Sequence, residues 1–445
     1  MYGDATNWDE NAYRETVLKE REIQTRTVFR TAWAPPYNLD TLLVASSDGS
    51  VASYSISSSI AASKLKNPFG FVNADTDKLS VEPNCFVQAH CGPAYDVKFY
   101  GDGEDALLLS CGDDGRIRGW KWNEFSSPHY SVSSQGNDTK PVLDMVNPQH
   151  KGPWGALSPI PENNALAVNT QERSVFAASG DSCAYCWDVE TGKVKMVFKG
   201  HMEYLHCIVA RNSSNQVLIL DLTVFGLVDV RTMMVAGRQT LPCGDMGGKC
   251  VDGKDACADT SYTVLDCKSG KCTQVIDQAK HLKLKGSASW VGCVALDARV
   301  SVKAQSSVVA VVAFIVVGIS LKHPLKICGC FINTKGTTVN FIQACSSGRN
   351  ISLWNLPASE CVSKIPTRAT VQDMLFDNNQ ILTVGTDPLL NRFDMNGTIL
   401  SQIQCAPSSS FSISLHPAGV MAVGGYGGLV DVISQFGSHM CTFHC

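Results

Sequence analysis

The chain has 445 residues, 44% of them hydrophobic and 18% charged, with a formal net charge of −4. The apolar content is ample for a packed core, while mild acidity and the lack of a polybasic block argue against electrostatic capture of nucleic acid as the main activity. Nineteen cysteines follow a charged N-terminus, MYGDATNWDENAYRETVLKE, with no apolar signal-like core, and read as free thiols in a reducing compartment.

In chain order, residues 8–26 carry mixed charges around Ala12, Tyr13, Val17, Leu18 and Ile23. They are a short helix candidate in an N-terminal extension, 1–25. TVFRTAWAP (27–35) and TLLVASSDGSVASY (41–54) then read as short strands around a turn. The clearest hairpin is CGDDGRIRGW, 111–120. Asp114-Gly115 supplies a turn in which glycine accepts positive φ, and alternating Arg-Ile-Arg leads to Trp120.

The hairpin recurs in VFAASGDSCAYCWD (175–188), QILTVGTDPLLNRFD (380–394) and VMAVGGYGGLVDVI (420–433). An apolar strand precedes several of these units, as in AYDVKFYGDG (94–103), VQDMLFD (371–377) and SFSISLHPAG (410–419). An outer strand follows in WDVETGKVKMVF, LDCKSGKCTQVI, WNLPASECVSKI and FDMNGTILSQI. Four strands per unit at a period of about 40–45 residues is the signature of a WD40 blade, and a ring of blades buries faces that a lone blade cannot.

The fold expected is therefore all-β: a WD40-type β-propeller over 26–443, of about seven four-stranded blades. The blades fall near 26–57, 88–123, 151–198, 201–276, 287–365, 369–403 and 409–443. The last strand is expected to pair with N-terminal chain, and 58–87 and 124–150 read as polar loops between blades. His90, Ser110, Asp114 and Trp120 stand where a blade links His, Ser, Asp and Trp in a buried hydrogen-bond chain, a structural tetrad rather than a reactive one. Elsewhere the pattern is degenerate: Ala177 replaces the Ser, and Tyr54 and Phe393 replace the Trp.

Two units are each roughly 30 residues too long for a blade, which marks irregular, insert-like tracts at 217–262 and 300–343. Ala304 to Leu321 carries no charge. It is barely long enough for a membrane span and interrupts a soluble repeat, and its Val/Ile content suits strands better. A further reading takes 300–343, and more weakly 217–262, as translated intron or a faulty gene model.

No chemistry-bearing motif emerges. Cys183 and Cys186 form a lone C-x-x-C, but residues three apart on a strand point to opposite faces. Cys243, Cys250, Cys257, Cys267 and Cys272 match no zinc spacing. His201 opens a blade, five residues before His206, and Gly424–Gly428 lies in a hairpin rather than before a helix. No G-x-S-x-G, H-E-x-x-H or Walker loop is present. The reading is a non-enzyme with no cofactor and no metal.

The runs WNLPASECVSKIP, ILTVGTDPLLNRFDMNG and SISLHPAGVMAVGGYGGLVDVISQFGSHMCTF resemble the THO complex subunit 6 family of WD40 proteins, as do VFRTAWAPPYNLDTLLVASSDGSVASYSI and HCGPAYDVKFYGDGEDALLLSCGDDGRIRGWKW. The resemblance covers roughly 27–216 and 345–443. It implies a nuclear, non-enzymatic scaffold in the THO/TREX assembly, which couples transcription to mRNA packaging and export. Its implied partners are other THO/TREX subunits, with RNA at most indirect and no membrane. Some members are also read as substrate receptors of cullin-4 ubiquitin ligases, through a motif ending Trp-Asp-x-Arg. Here Trp187 and Asp188 are followed by Val189 and Glu190, which reverses the charge at the adaptor contact, while Val228-Asp229-Val230-Arg231 lacks the Trp.

Overall fold

Gly115 adopts φ +68° between strands Leu107–Gly112 and Arg116–Lys121, so the Asp-Gly hairpin forms as the sequence expects. The same local rule builds the rest. The computed structural model describes residues 13–14, 26–38, 40–66, 79–103, 105–126, 140–199, 204–210, 216–221, 261–266, 272–277, 290–297, 308–314, 342–346, 350–355, 360–377 and 379–445. Of the N-terminal helix candidate, Tyr13 and Arg14 are helical, and 8–12 and 15–25 lie outside the described residues. Most of the tracts 217–262 and 300–343 lies outside them too.

The strands assemble into seven sheets, and within each the first to fourth positions follow sequence order. The first strand of every sheet packs on that of the next. Val28–Trp33 meets Ala94–Tyr100, and the series continues until Ser410–Leu415 of the seventh sheet packs back on Val28–Trp33. The chain is a seven-bladed β-propeller. Its core is a ring of sandwiches rather than one centre: Leu43, Val97, Leu108 and Trp120 join sheets one and two, and Leu109, Val175 and Tyr185 join two and three.

Two expectations need correction. First, the stretches read as inter-blade loops contain outer strands, Cys85–Gln88 and Leu143–Val146, plus a helix, Ile56–Lys66. An outermost strand of four residues buries one face only, alternating buried and exposed at 85–88. It therefore leaves little apolar signal, and long connections separate each from its hairpin. Second, among the described residues the last strand, His439–His444, does not pair with the N-terminal residues 13–14 or 26–38. It completes its own sheet against Leu429–Ile433 and gains a parallel neighbour at Leu79–Ser80. The isolated bridge Thr27↔Tyr426 and face-to-face packing close the ring. In keeping with its Val/Ile content, Val308–Phe314, within the uncharged run, is a strand that pairs with Trp290–Asp297. Ser352 and Leu353 then have register partners in both Val308–Phe314 and Ile342–Ser346. Two segments thus converge on one side of strand Asn350–Asn355, inside the fifth sheet. Among the described residues, no helix is long and apolar enough to cross a membrane.

Every first strand carries the same defect. One residue is skipped in the register with the second strand: Phe29, Tyr95, Asn164, His206, Gly292, Gln372 and Phe411. Such bulges add twist and re-aim side chains. Bulged residues of neighbouring sheets meet, with ring centroids 5.3 Å apart for Phe29–Tyr95 and 5.7 Å for Phe29–Phe411. The side chain after the bulge accepts a backbone N–H from the next sheet. Asp96 Oδ2 takes Leu166 N at 2.9 Å, Asp373 Oδ2 takes Ile413 N at 2.9 Å, and Ser412 Oγ takes Thr31 N at 2.9 Å.

Arg30 holds that position in the first sheet, where it cannot accept. Its guanidinium instead reaches Asp96 in the second sheet (Nε to Oδ1, 3.0 Å) and Asp373 in the sixth (Nη1 to Oδ2, 2.8 Å). Burial works against its charge, but Asp373 and then Asp96 overrule it and raise the pKa. Cys207 and Cys293, from the fourth and fifth sheets, lie within electrostatic range of the same group. One cation thus ties together sheets that are not neighbours.

Candidate interaction surface

Because strand direction alternates through each sheet, the described turns between second and third strands and the described segments that enter a sheet share one face of the ring, the upper face. The predicted tetrad sits just beneath it. His90 is buried, with Nδ1 2.8 Å from Asp114 Oδ1 and Nε2 2.7 Å from Ser110 Oγ. Asp114 also receives Arg118 Nη1 at 2.7 Å and the amides of Arg116 and Cys91. Burial alone would raise the Asp114 pKa, but the donors His90 and Arg118 hold it well below the usual carboxylate range. Trp120 is buried at the far end of the strand against Phe125. Every polar atom of His90, Ser110 and Asp114 that the geometry places inward has a partner, so these groups fix the blade rather than offer reactive chemistry.

In the third sheet, Asp181 occupies the place of Asp114. Ser182 takes φ +64° where Gly115 sits, and buried Ala177 replaces Ser110. The missing His is answered from the entering segment: His150 Nε2 lies 2.5 Å from Asp181 Oδ2, and the Tyr185 hydroxyl donates to the same oxygen at 2.5 Å. Cys183 joins His150 and Asp181 as three donor atoms within 4.8 Å of one another, the one such trio among the described residues. Sequence spacing could not find it, because His150 lies 31 residues before Asp181. Cys183 and Cys186 do face apart, Cys183 into the core between sheets two and three and Cys186 into that between three and four. Of the looser cysteine cluster, Cys272 begins a strand and the others lie outside the described residues.

Three carboxylates gather on this part of the upper face. Asp113 accepts the Tyr95 hydroxyl at 3.2 Å. Burial raises the Glu162 pKa, and the charges of Asp113 and Asp181 raise it further. In the seventh sheet, buried Asp431 accepts Thr442 Oγ1 at 2.9 Å and Ala406 N at 3.1 Å, with His439 Nδ1 at 3.1 Å. Gly424 and Gly425 belong to a hairpin packed tightly on its neighbours: a Cβ at Gly424 would lie 2.4 Å from Val28 Cγ1. His201 lies outside the described residues, and His206 is an exposed bulge residue.

The adaptor-contact candidates sit on the opposite face. Trp187 is buried, and Asp188 caps the following turn by accepting the amides of Glu190 and Thr191 at 3.0 and 2.9 Å. The Lys195 and Thr191 donors hold the Asp188 carboxyl at about 2. Glu190 is exposed and paired with Arg173, Oε1 to Nη1 2.7 Å. The position that would carry an Arg in the adaptor motif is therefore an anion neutralised within its own sheet.

No family model matches the chain. Among curated proteins, it is 51% identical to THO complex subunit 6 of Arabidopsis thaliana, over 100% of this chain and 99% of that protein. It is 23% identical to THO complex subunit 6 of Homo sapiens over 87% of this chain and 84% of that protein. The Mus musculus homolog is also 23% identical, over 82% and 81%.

Proposed function

Because the chain belongs to the THO complex subunit 6 family, we propose that it is a non-enzymatic scaffold subunit of a nuclear THO/TREX assembly in mRNA processing and export. The full-length identity to a named complex subunit carries the reading. The propeller supports it physically: a rigid ring displays loops on two faces, the arrangement by which such scaffolds hold several partners at once. The described polar clusters also support it, since the tetrad and the inter-sheet carboxylates satisfy structural donors. The mild net charge of −4 makes protein contacts, not RNA capture, the source of association.

The test is a nuclease-treated pull-down of the tagged chain from nuclear extract. The other THO subunits are expected to remain bound. Their complete loss on nuclease treatment would make RNA the tether, and their absence from untreated eluates would sink the complex-subunit reading.

A further inference from the structure

The upper turn of the third sheet carries a donor set that the second sheet lacks. The two hairpins correspond in register: Ser110 stands opposite Arg118, and Ala177 opposite Tyr185. Asp181 thus holds the place of Asp114, Cys183 that of Arg116 and Tyr185 that of Arg118. In the second sheet Asp114 has its cation built in, since Arg118 Nη1 lies 2.7 Å from Oδ2. The third sheet has no such cation. Among the described residues Asp181 pairs with no Lys or Arg, and its Oδ2 is met instead by His150 Nε2 and the Tyr185 hydroxyl, each at 2.5 Å.

Two segments hold this set in place. His150 stands on a hairpin, 149–158, closed by the Lys151–Leu157 bridge, with Trp154 fully exposed at its tip. The backbone of His150 is fixed in both directions: Ser158 N donates to its carbonyl at 2.8 Å, and its own N–H donates to Ser158 Oγ at 3.0 Å. Asp181 is oriented by Cys183 N, which donates to Oδ1 at 3.1 Å and leaves Oδ2 facing His150. Ser179 N donates to the Cys183 carbonyl at 3.1 Å, and the Cys183 thiol hydrogen-bonds with Tyr185 and Asp181. His150 nitrogen, Asp181 oxygen and Cys183 sulfur then lie within 4.8 Å of one another.

The chemistry of the three atoms selects the ligand. One imidazole nitrogen, one carboxylate oxygen and one thiol sulfur suit zinc, whereas magnesium and calcium take oxygen alone and copper(I) takes soft sulfur. A tetrahedral zinc with bonds of about 2.0–2.3 Å spaces its ligands about 3.3–3.8 Å apart, so the trio closes on the ion with movements of about 1 Å or less. The His150 side chain, 47% exposed, is free to take up that movement. The local field favours a dication: Asp113 and Glu162 stand beside Asp181. Against these three carboxylates stand two solvated lysines, Lys151 beside His150 in the chain and Lys199 in electrostatic range of Cys183.

We propose that His150, Asp181 and Cys183 form a zinc site that clamps the 149–158 hairpin onto the upper turn of the third sheet, with water at the fourth position. The ion supplies there the positive charge that Arg118 supplies in the second sheet. On binding, Cys183 gives its thiol proton to solvent, and His150 carries its proton on Nδ1 so that Nε2 offers a lone pair. A thiolate and a carboxylate then balance the two charges of the ion. The chain spacing hides the site, since His150 lies 31 residues before Asp181, which is why the sequence reads as free of metal. The site does not depend on the complex-subunit reading.

The test strips the full chain with chelator and reloads it with one equivalent of cobalt(II) or zinc. Cobalt should give a thiolate-to-metal charge-transfer band in the near ultraviolet and d–d bands of tetrahedral intensity, both removed by zinc. Cys183→Ser should lose the charge-transfer band, while Cys91→Ser, at the one exposed cysteine among the described residues, should keep it. His150→Ala should weaken zinc binding at least about tenfold by chelator competition, since even a partner that only orients a ligand is worth that much. Zinc at about a hundredfold excess over its Kd should raise the wild-type Tm by roughly 5 °C and that of His150→Ala far less. Each form is compared with itself in chelator, so loss of the His150–Asp181 hydrogen bond alone does not mimic this result. If Cys183→Ser fails to fold, the exposed His150→Ala decides by the same two measurements. Absence of the charge-transfer band in the wild type would overturn the site. So would zinc affinity unchanged in His150→Ala, which would assign the metal to other thiols, or magnesium binding as tight as zinc.

Discussion

Replacing Arg30 by Met tests whether one cation locks the ring. Its side chain is 23% exposed, and the carboxylates it joins, Asp96 and Asp373, are 2% and 11% exposed. Removing one partner of a buried ion pair costs about 3–5 kcal/mol, because the other charge is left uncompensated. Both carboxylates keep backbone donors: Val97 N and Leu166 N on Asp96, Met374 N and Ile413 N on Asp373. The lower end applies, about 3 kcal/mol. At roughly 2 °C per kcal/mol, the low end for large domains, Tm should fall by about 6 °C. The assay is thermal unfolding at several scan rates beside urea titration, where the midpoint should fall with the slope unchanged. The triple variant R30M/D96N/D373N separates causes: no charge is left alone, while each Asn oxygen keeps only one of the two amides its Asp accepted. It should recover part of the loss. An unchanged midpoint in R30M, or a triple variant that falls further by the sum of its parts, would refute the lock.

Trp120→Ala should cost about 3–5 kcal/mol, as large aromatic truncations in cores do; an unchanged melting temperature would show that Trp120, 3% exposed, bears no packing. His439 has its pKa raised by its hydrogen bond to Asp431. A folded pKa above the unfolded 6.5 contributes stability that is full below that value and lost as pH rises through the folded one. Wild type should therefore lose its advantage over His439→Gln as pH rises past about 6.5, and equal differences at low and high pH would remove the linkage. Glu190→Arg breaks an exposed pair with Arg173, so stability should change by less than about 1 kcal/mol. Binding to the cullin-4 adaptor, weak in the wild type, should strengthen by biolayer interferometry. Tight wild-type binding that survives loss of Trp187 and Asp188 would contradict this account of the contact.

The hairpins were legible because their turns are local. Asp114-Gly115 needs no tertiary context to declare a turn, and Tyr54 and Phe393 fill the Trp place as buried aromatics. His90, Ser110 and Asp114 follow from that register and do meet, while Trp120, the fourth expected member, packs on Phe125 at the far end of the strand. The outer strands at 85–88 and 143–146 were not legible, since four half-buried residues after a long connection carry too few apolar positions to stand out. The bulges were hidden for another reason. An inserted residue breaks the two-residue alternation at Phe29, Tyr95 and five more places, and in one strand that looks like noise. The His150–Asp181 pair was equally out of reach, because only folding brings an entering segment onto a turn.

The position after each bulge shows how stability and recognition divide in this ring. Where it holds Asp or Ser, as at Asp96, Asp373 and Ser412, the side chain accepts an amide of the next sheet and sews one seam. Where it holds Arg30, the seam between the first two sheets loses that acceptor, and the guanidinium engages two of the seam carboxylates instead. Asp96, Asp373 and Ser412 spend these side-chain oxygens on the seams rather than on a partner. The Trp154 hairpin is the reverse case, tied at its base and bare at its tip. Sites this far apart, with no shared partner, act independently on stability. The inner layer can therefore hold the ring's geometry independently of what the entering segments present on the upper face.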